Sequence, residues 1–335
     1  MTTFPSYLSQ IRRPAALLAM GLLAALMTLT AFAQSYPSKP IRLVLRSAPG
    51  GGDDLHARLL APHLQEILGQ PVVIDYRTGA GGLLAWEMIA KAPPDGYTIM
   101  LTASGLTSIR SLRPDVTIDP WRDYVWVSLI SRFMLVLSAH PVLPVKNLKE
   151  LVILARKRPG ELSYGSSGVG ATPHLAVEYF KAAAKLNILH VPYKGGGPMF
   201  LDLLGGRVDL GTSTPAPAIP HIRSGKIRAL GVTGANRLHE LPEVQTIAEG
   251  AGLPGFEFTG FYAIIAPAGT PGQIVTQLSE AVIKTVATPG FKDRFRKVVV
   301  GIEPTSSTPE QTLMMAKEDA AKASQIVRSA NIKLD

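Results

Sequence analysis

A buried-strand pattern near the amino-terminal end of the sequence leads through three consecutive glycines into a helical pattern. The apolar run Ile41–Leu45 precedes the glycines at 50–52, and leucine and isoleucine then recur at helical spacing up to Leu68. Glycine lets the backbone approach a ligand closely, and the first turn of a helix leaves N–H groups without intrahelical partners. The pattern therefore predicts an anion site at a helix start, although Asp53 and Asp54 could cap that helix themselves.

Strand and helix patterns alternate along the segment that contains this loop. Strands are predicted at 41–45, 71–75 and 97–101, and helices at 54–68 and 83–91. This β-α-β-α-β order predicts a parallel sheet with right-handed crossovers. The glycine loops at 50–52 and 79–82 then lie at one edge, beyond the carboxyl ends of the strands, where ligands bind in such sheets.

A second alternating unit begins near residue 135. Its predicted strands and helices, in chain order, are the strands 135–138, 162–164, 187–191, 208–211 and 227–232 and the helices 149–158, 172–185, 197–204 and 218–224. A strand at 261–266 and helices at 271–286 and 309–330 complete the chain. The fold class predicted is α/β, with two lobes that are each a mainly parallel sheet flanked by helices. We assign residues 34–137 plus 259–335 to the first lobe and 138–258 to the second, with hinge crossings near Leu137 and Thr259.

The first 33 residues have the pattern of a cleaved export signal. Arg12 and Arg13 precede an almost wholly apolar stretch at 15–32, and A-F-A at 31–33 is a small-residue cleavage pattern. We therefore predict a periplasmic protein exported by the general secretory route, with an uncleaved membrane anchor as the alternative. The sequence contains no cysteine, which excludes disulfides, thiolate chemistry and a lipid-modified cysteine at the signal junction.

The charge pattern argues against nucleic-acid binding. The formal net charge is +9, but the basic residues are scattered and are not interleaved with aromatic residues. A modest positive balance is compatible with an anionic small molecule.

Motifs that carry catalysis or hold a cofactor are incomplete. The loop with Ser166 and Ser167 only loosely resembles a nucleophile elbow, because Val169 stands where that motif requires glycine. Lys194 precedes its glycines, contrary to the order of a phosphate-binding loop. His174 and Glu178 could share a helix face, yet two ligands make a poor metal site. The sequence therefore predicts no cofactor and no metal, and favours a receptor over an enzyme.

An ordered series of short motifs resembles the Bug-type substrate-binding receptors of tripartite tricarboxylate transporters. The motifs are Y-P-S-K-P-I at 36–41, A-P-G-G-G-D-D at 48–54, G-A-G-G at 79–82, K-A-P-P-D-G-Y-T at 91–98, L-S-Y-G-S-S-G-V-G at 162–170, H-V-P-Y-K-G-G-G-P at 190–198 and A-P-A-G-T-P at 266–271. The resemblance implies a two-lobed periplasmic binding fold of type II without enzymatic activity. It also implies a carboxylated ligand (a di- or tricarboxylate, an acidic amino acid or an aromatic acid) that is delivered to membrane transporter subunits.

Ligand-binding residues are implied on both lobes by the same resemblance. They are Gly51, Gly52, Asp54, Gly79, Ala80, Gly81 and Ser104 on the first lobe, and Ser166, Ser167, Thr172, His174, Lys194 and Gly195 on the second. Two departures from the family pattern join this set: Tyr76 replaces a usual asparagine, and Ser213 stands where aspartate is usual. Tyr76 prompts the hypothesis that the ligand is a bulkier or aromatic carboxylate.

The adjacent aspartates of the glycine loop have different expected roles. Asp54 aligns with the recurrent aspartate of the family and is expected to organise the loop and helix start. Asp53 replaces a usual small hydroxyl residue, and we expect it to weaken the binding of highly charged acids.

Two other functions are compatible with the sequence. One is an exported serine hydrolase that uses Ser166 or Ser167 with His174. The other is a receptor that senses its ligand for a signalling partner.

Overall fold

The computed structural model describes residues 36–113, 115–299 and 301–329, which contain ten strands and eleven α-helices. The helices are eight to twenty-one residues long, apart from one of five residues. The strands are β1 (Ile41–Leu45), β2 (Val72–Tyr76), β3 (Thr98–Ala103), β4 (Tyr124–Met134), β5 (Val136–Ala139), β6 (Ser163–Ser166), β7 (Leu189–Pro192), β8 (Leu210–Ser213), β9 (Arg228–Val232) and β10 (Thr259–Pro267). The helices are α1 (Gly52–Leu68), α2 (Leu83–Ala90), α3 (Gly105–Leu112), α4 (Leu148–Lys157), α5 (Thr172–Ala184), α6 (Gly196–Leu204), α7 (Pro215–Arg223), α8 (Ile247–Ala251), α9 (Gly272–Ala287), α10 (Pro289–Val298) and α11 (Pro309–Ser329).

The strands form two five-stranded sheets, which confirms the α/β fold class predicted from the sequence. The first sheet has the order β2-β1-β3-β10-β4, and the second has the order β7-β6-β8-β5-β9. In the first sheet β1 pairs in parallel with β2 and β3, while β10 runs antiparallel to both of its neighbours. In the second, β6 pairs in parallel with β7 and β8, while β5 is the antiparallel strand. We call each sheet with its helices a lobe.

Helix α1 shows how the glycine loop becomes a helix start. The helix begins at Gly52, two residues before the predicted position, and places Asp53 and Asp54 in its first turn, where the helix dipole favours negative charge. It ends at Gly69, whose φ of 70° is readily adopted by glycine and whose N–H donates to the Gln65 carbonyl over 2.9 Å. The apolar spacing recognised in the sequence corresponds to the buried face, which includes Leu60 and Leu64.

The chain passes between the sheets twice, and Thr233 joins the two crossings. Leu135 alone separates β4 from β5, and its N–H donates to the Thr233 hydroxyl over 2.9 Å. That hydroxyl donates to the Phe258 carbonyl over 2.6 Å, just before the chain returns to the first sheet in β10. The chain thus passes from the first sheet to the second at Leu135 and returns between β9 and β10. The division of the sequence into lobes at residues 137 and 259 stays a prediction.

A large core cluster lies between the first sheet and the helices α2, α3 and α11. Trp86 of α2 is fully buried in it, and its indole N–H donates to the Thr102 hydroxyl over 3.0 Å. The Trp86 carbonyl accepts from the Tyr124 hydroxyl over 2.8 Å, so the same residue also fixes β4. Trp86 is therefore a core residue of the first lobe.

No helix among the described residues combines the length and the apolar character needed to cross a membrane. The predicted signal segment, residues 1–33, lies outside the described part of the chain.

Replacing Trp86 by alanine should strongly destabilise the first lobe. The substitution removes a fully buried side chain and leaves a cavity, and comparable changes cost about 3–5 kcal/mol. Urea unfolding measured by circular dichroism checks this. Trp121→Ala is the matched control because Trp121 is 37% exposed. Equal losses for the two variants would contradict the central position of Trp86 in the core.

Candidate functional site

Backbone loops of the two lobes meet directly at the glycine positions. The N–H of Ala48 donates to the Lys194 carbonyl over 3.0 Å. A Cβ built on Gly51 would lie 3.3 Å from the backbone nitrogen of Gly196, and one built on Gly197 would collide with the Pro49 carbonyl oxygen. Only glycine permits such close approach of two main chains. The first glycine loop is therefore one side of an interlobe contact.

A second pair of loops closes the other side of the cleft. Gly81 has a φ of 67°, and a Cβ on it would collide with the Val169 carbonyl oxygen of the second lobe. Ser104 and Thr172, one from each lobe, have hydroxyl oxygens 3.1 Å apart. The lobes are thus in contact at both glycine loops and at this hydroxyl pair, and residues from Lys39 onward form one compact unit.

The starts of four helices line an inner cavity of about 30 Å³ between the lobes. Helix α1 contributes Gly51 and Gly52, α5 contributes Thr172, α6 contributes Gly196, and the residue before α7 is Thr214. The N–H groups without intrahelical partners at these starts come from residues other than Pro173, Pro198, Pro215 and Pro217, because proline has no N–H. Each start also presents the positive end of a dipole equivalent to about half an elementary charge. Convergence of four of them makes the cavity electrostatically suited to an anion.

An outer cavity of about 240 Å³ adjoins the inner one. Ser167 lines both cavities. Nine of the predicted site residues line one or both of them: Gly51, Gly52, Gly79, Ala80, Gly81, Ser167, Thr172, Lys194 and Ser213. A third cavity, of about 110 Å³, is lined by Ser104 and Thr172 near the crossings. The structure therefore brings most of the predicted residues to one cleft.

Asp54 and Tyr76 lie in a network that braces the first glycine loop. Asp54 accepts hydrogen bonds from the Gly50 N–H over 3.0 Å, from Arg58 over 2.7 Å and from the Tyr76 hydroxyl over 2.6 Å. Burial acts to raise the pKa of Asp54, but these hydrogen bonds outweigh it and lower the pKa. Within the described residues, Asp54 and Tyr76 line neither the inner nor the outer cavity. The expectation that Asp54 organises the loop and helix start agrees with this geometry.

Ser166 and His174 are held by separate partners in the second lobe. The buried Ser166 hydroxyl lies 2.7 Å from Nε2 of His190, whereas Nδ1 of His174 accepts from the Gly170 N–H over 3.1 Å. The two imidazole rings stack with centroids 4.1 Å apart. The predicted pairing of Ser166 with His174 is therefore replaced by a Ser166–His190 hydrogen bond.

Gly195 and Glu178 also have structural contacts. Gly195 has a φ of 130°, and a Cβ there would lie 2.7 Å from the Ala48 nitrogen, so it belongs to the interlobe contact. Glu178 accepts from the Tyr164 hydroxyl over 2.6 Å and from Lys181 over 2.7 Å. Among the described residues, no group of three or more His, Cys, Asp or Glu side chains is arranged to hold a metal ion.

Comparison with known proteins identifies the family. A family model described as the tripartite tricarboxylate transporter family receptor matches residues 56–332. The chain belongs to this receptor family. The family predicted from the ordered motifs is thereby confirmed.

Relatives extend over nearly the whole chain of the receptor. Protein BugT of Bordetella pertussis is 35% identical over 304 residues, which are 90% of this chain and 92% of BugT. The structure of Rpa4515 from R. palustris with adipate is 36% identical, has a TM-score of 0.84 and covers 89% of this chain and 99% of its own. MatC from Rhodopseudomonas palustris with bound malate is 29% identical, with a TM-score of 0.83 and coverage of 87% and 100%.

Several cavity-lining residues of the receptor were not predicted. Arg46 directly follows β1 and lines the inner cavity. A charged residue at the carboxyl end of an apolar strand, where ligands bind in such sheets, could have indicated this role from the sequence. Phe133 and Tyr262, with ring centroids 4.8 Å apart, come from β4 and β10 near the crossings. Their place in the cavity depends on the sheet order, which the sequence pattern did not supply.

Two buried histidines and one half-buried histidine predict that the receptor loses stability in mild acid. Burial lowers the pKa of His56 to about 4 and that of His174 to about 4, and burial with the nearby His174 lowers the pKa of His190 to about 3. An unfolded histidine titrates near 6.5, so the unfolded chain takes up these protons first as the pH falls. The free energy of unfolding is therefore fully retained above about pH 6.5 and decreases as the pH falls toward 4.

His56→Gln should reduce this loss. His56 is fully buried between the Gly52 carbonyl, 2.7 Å from Nδ1, and the Ser131 hydroxyl, 2.8 Å from Nε2. Urea unfolding at pH 7.5 and pH 5 should show a drop that is about 2 kcal/mol smaller than in the wild type. The exposed His239→Gln variant is the control and should retain the wild-type drop. An unchanged drop in His56→Gln would refute the assignment.

Proposed function

We propose that this protein is a solute receptor that captures a carboxylated small molecule between its lobes and delivers it to a tripartite tricarboxylate-type membrane transporter. The observation that carries the proposal is the convergence of four helix starts on one interlobe cavity. Unpaired N–H donors at these helix starts suit a carboxylate, because hydrogen bonds to a charged acceptor are stronger than neutral ones. The relatives solved with adipate and with malate support a carboxylate ligand.

Binding rather than catalysis is the proposed activity. Matched relatives are receptors, and the Ser166 hydroxyl is engaged by His190 in the described structure. Among the described residues, no carboxylate hydrogen-bonds either His174 or His190, so the contacts do not assemble a Ser-His-acid arrangement. The proposed location is the periplasm, which rests on the family and on the export-signal pattern at 1–33.

Ligand capture is proposed to couple to lobe closure. A ligand that bridges the helix starts of both lobes binds more tightly when the lobes touch than when they are apart. This difference in affinity shifts the population toward the closed state. The crossings joined at Thr233 are the proposed hinge.

A calorimetric panel of small acids tests the function. The wild-type protein, freed of bound small molecules by unfolding and refolding, is titrated with adipate, malate, citrate and benzoate, and with adipamide as the uncharged match to adipate. At least one acid should bind with one-to-one stoichiometry and raise the melting temperature, while adipamide should not. Binding of the diamide with no response to any of the acids would overturn a carboxylate receptor.

Gly81→Ala should uncouple binding from closure. Any Cβ at residue 81 collides with the Val169 carbonyl of the opposite lobe, so the lobes cannot reach the described contact. We expect the acid identified by the panel to bind at least tenfold more weakly, which corresponds to about 1.4 kcal/mol.

Gly69→Ala is the matched control for this variant. Gly69 has a similar φ of 70°, but nothing lies within 4 Å of a Cβ placed on it. The control therefore carries the same backbone strain without the interlobe collision, and it should bind the acid as the wild type does. Equal affinities for Gly81→Ala and Gly69→Ala would show that closure does not contribute to binding.

A further inference from the structure

The second sheet has one edge at the cleft and the opposite edge at the far end of the second lobe. Ser213 ends β8 and Leu135 precedes β5, and both residues line the inner cavity. At the other ends of these strands, Ala139 of β5 pairs with Leu210 of β8 and with Arg228 of β9, and the parallel strands β6 and β7 begin side by side. The chain connections at this far edge therefore lie opposite the cleft.

Hydrogen bonds join these connections side by side in the order of the sheet. The N–H of Gly160, before β6, donates over 2.9 Å to the carbonyl of Asn187, before β7. The N–H of His140, just after β5, donates over 2.9 Å to the carbonyl of Asp209, before β8. The arginine that begins β9 donates to the carbonyl of Val145, between β5 and α4. Segments that are far apart in the sequence thus form one continuous surface.

An exposed cation comes from each of the five connections. We call this set the basic pole: Lys146, Arg158, Lys185, Arg207 and Lys226. Within the described residues the second lobe has three ion pairs, and Arg207, with Nη1 2.6 Å from Oδ1 of Asp202, is the member of the pole that takes part in one. The cations are scattered along the sequence, and the sheet brings them to one surface.

Acidic side chains near the basic pole are few, and most of them have other partners. Glu150 accepts from the N–H of Lys146 over 2.7 Å and caps α4, and Asp209 accepts from the N–H and the hydroxyl of Ser163 over 2.8 and 2.9 Å. Glu161 is exposed beside them. The helix ends behind the cations each carry about half an elementary negative charge, which stabilises the cations without neutralising them. The pole therefore keeps an excess of positive charge.

The corresponding edge of the first lobe places acids beside its cations. Lys39, before β1, lies 3.5 Å from Asp95, which precedes β3. Arg122, before β4, lies 2.6 Å from Asp123. Lys91, between α2 and β3, is exposed and forms no ion pair with the described residues. Charge is thus largely compensated at this edge, so an uncompensated pole does not follow from the fold alone.

We infer that the basic pole attaches the receptor to a membrane surface that contains anionic phospholipids. Cations spread over separate connections suit a surface whose negative charge is diffuse and mobile, because the headgroups need no fixed partner positions. Protein interfaces, in contrast, are depleted of lysine at their core. Two exposed apolar side chains lie at the same edge, Val142 at 82% and Leu189 at 54% exposure, and they suit the boundary between headgroups and acyl chains.

Attachment through the pole leaves the cleft accessible, since the pole and the cavities lie at opposite ends of the strands. The inference goes beyond the proposed function, because it concerns the surface on which the receptor is held and not the ligand that it captures. Membrane attachment and ligand binding should therefore be independent of each other.

Sedimentation with lipid vesicles tests the attachment of the wild-type protein. Vesicles of phosphatidylcholine alone are compared with vesicles of phosphatidylcholine and phosphatidylglycerol in equal parts. At low salt at least tenfold more protein should sediment with the anionic vesicles, and this excess should disappear at high salt, which screens the charges. Equal sedimentation with both kinds of vesicle would overturn the inference. Capture by immobilised polyglutamate without binding to anionic vesicles would also overturn it, in favour of an acidic protein partner.

A charge variant assigns the attachment to the pole. It combines four substitutions of exposed side chains: Lys146→Gln, Arg158→Gln, Lys185→Gln and Lys226→Gln. The fraction that sediments with anionic vesicles should fall at least tenfold, while circular dichroism should show a folded protein. The acid identified by the panel should bind to this variant as it binds to the wild type, so a failure of the attachment is distinguishable from a failure of the proposed function.

A matched variant with the same loss of charge in the first lobe is the control. It combines substitutions of four exposed cations: Lys91→Gln, Lys284→Gln, Arg294→Gln and Lys297→Gln. Because the basic pole is intact in this variant, it should sediment with anionic vesicles as the wild type does. Equal losses in the two variants would show that net charge alone attracts the protein to the vesicles, and would refute the role of the pole.

Discussion

Direct contact between main chains across the cleft is the constraint on which the rest of the site depends. A Cβ on Gly81 would collide with the Val169 carbonyl oxygen, and one on Gly51 would be tight against the Gly196 nitrogen at 3.3 Å. Because side chains are absent there, the helix starts behind the loops come close enough to share one cavity. The same glycines therefore determine both the shape of the cleft and its attraction for anions.

The two chain crossings between the lobes are joined to each other by hydrogen bonds to one residue, Thr233. Leu135 and Phe258 belong to different crossings, yet both hydrogen-bond to the hydroxyl of Thr233. Only one residue separates β4 from β5, so the antiparallel strand of the second sheet continues almost directly from an edge strand of the first. A rotation between the lobes would thus be confined to a few residues, and the loops at the far end of each strand would move most.

Local sequence patterns predicted those strands and helices whose bounds depend on residues close by in the sequence. Strand β1 was predicted to the residue, and α1 differed only at its start, because apolar spacing and flanking glycine are local signals. The patterns did not predict α3 or β4, nor that β10 lies between β3 and β4. Strand order depends on contacts between distant segments, and so does the entry of Phe133 and Tyr262 into the cavity. His190 was likewise missed as the partner of Ser166, since the pairing of β6 with β7 brings them together.

Selectivity in such a cleft has to come from few side chains. Backbone N–H groups at helix starts provide the same donors to any carboxylate, so they supply affinity for the class but do not distinguish its members. Tyr76, which first suggested an aromatic ligand, has its hydroxyl bonded to Asp54 and braces the loop. The charged residues left in the inner wall are Arg46 and Asp53, and their opposite charges nearly cancel. Arg46 and Asp53 therefore leave the inner wall nearly neutral, so its attraction for an acid comes from the helix starts around them.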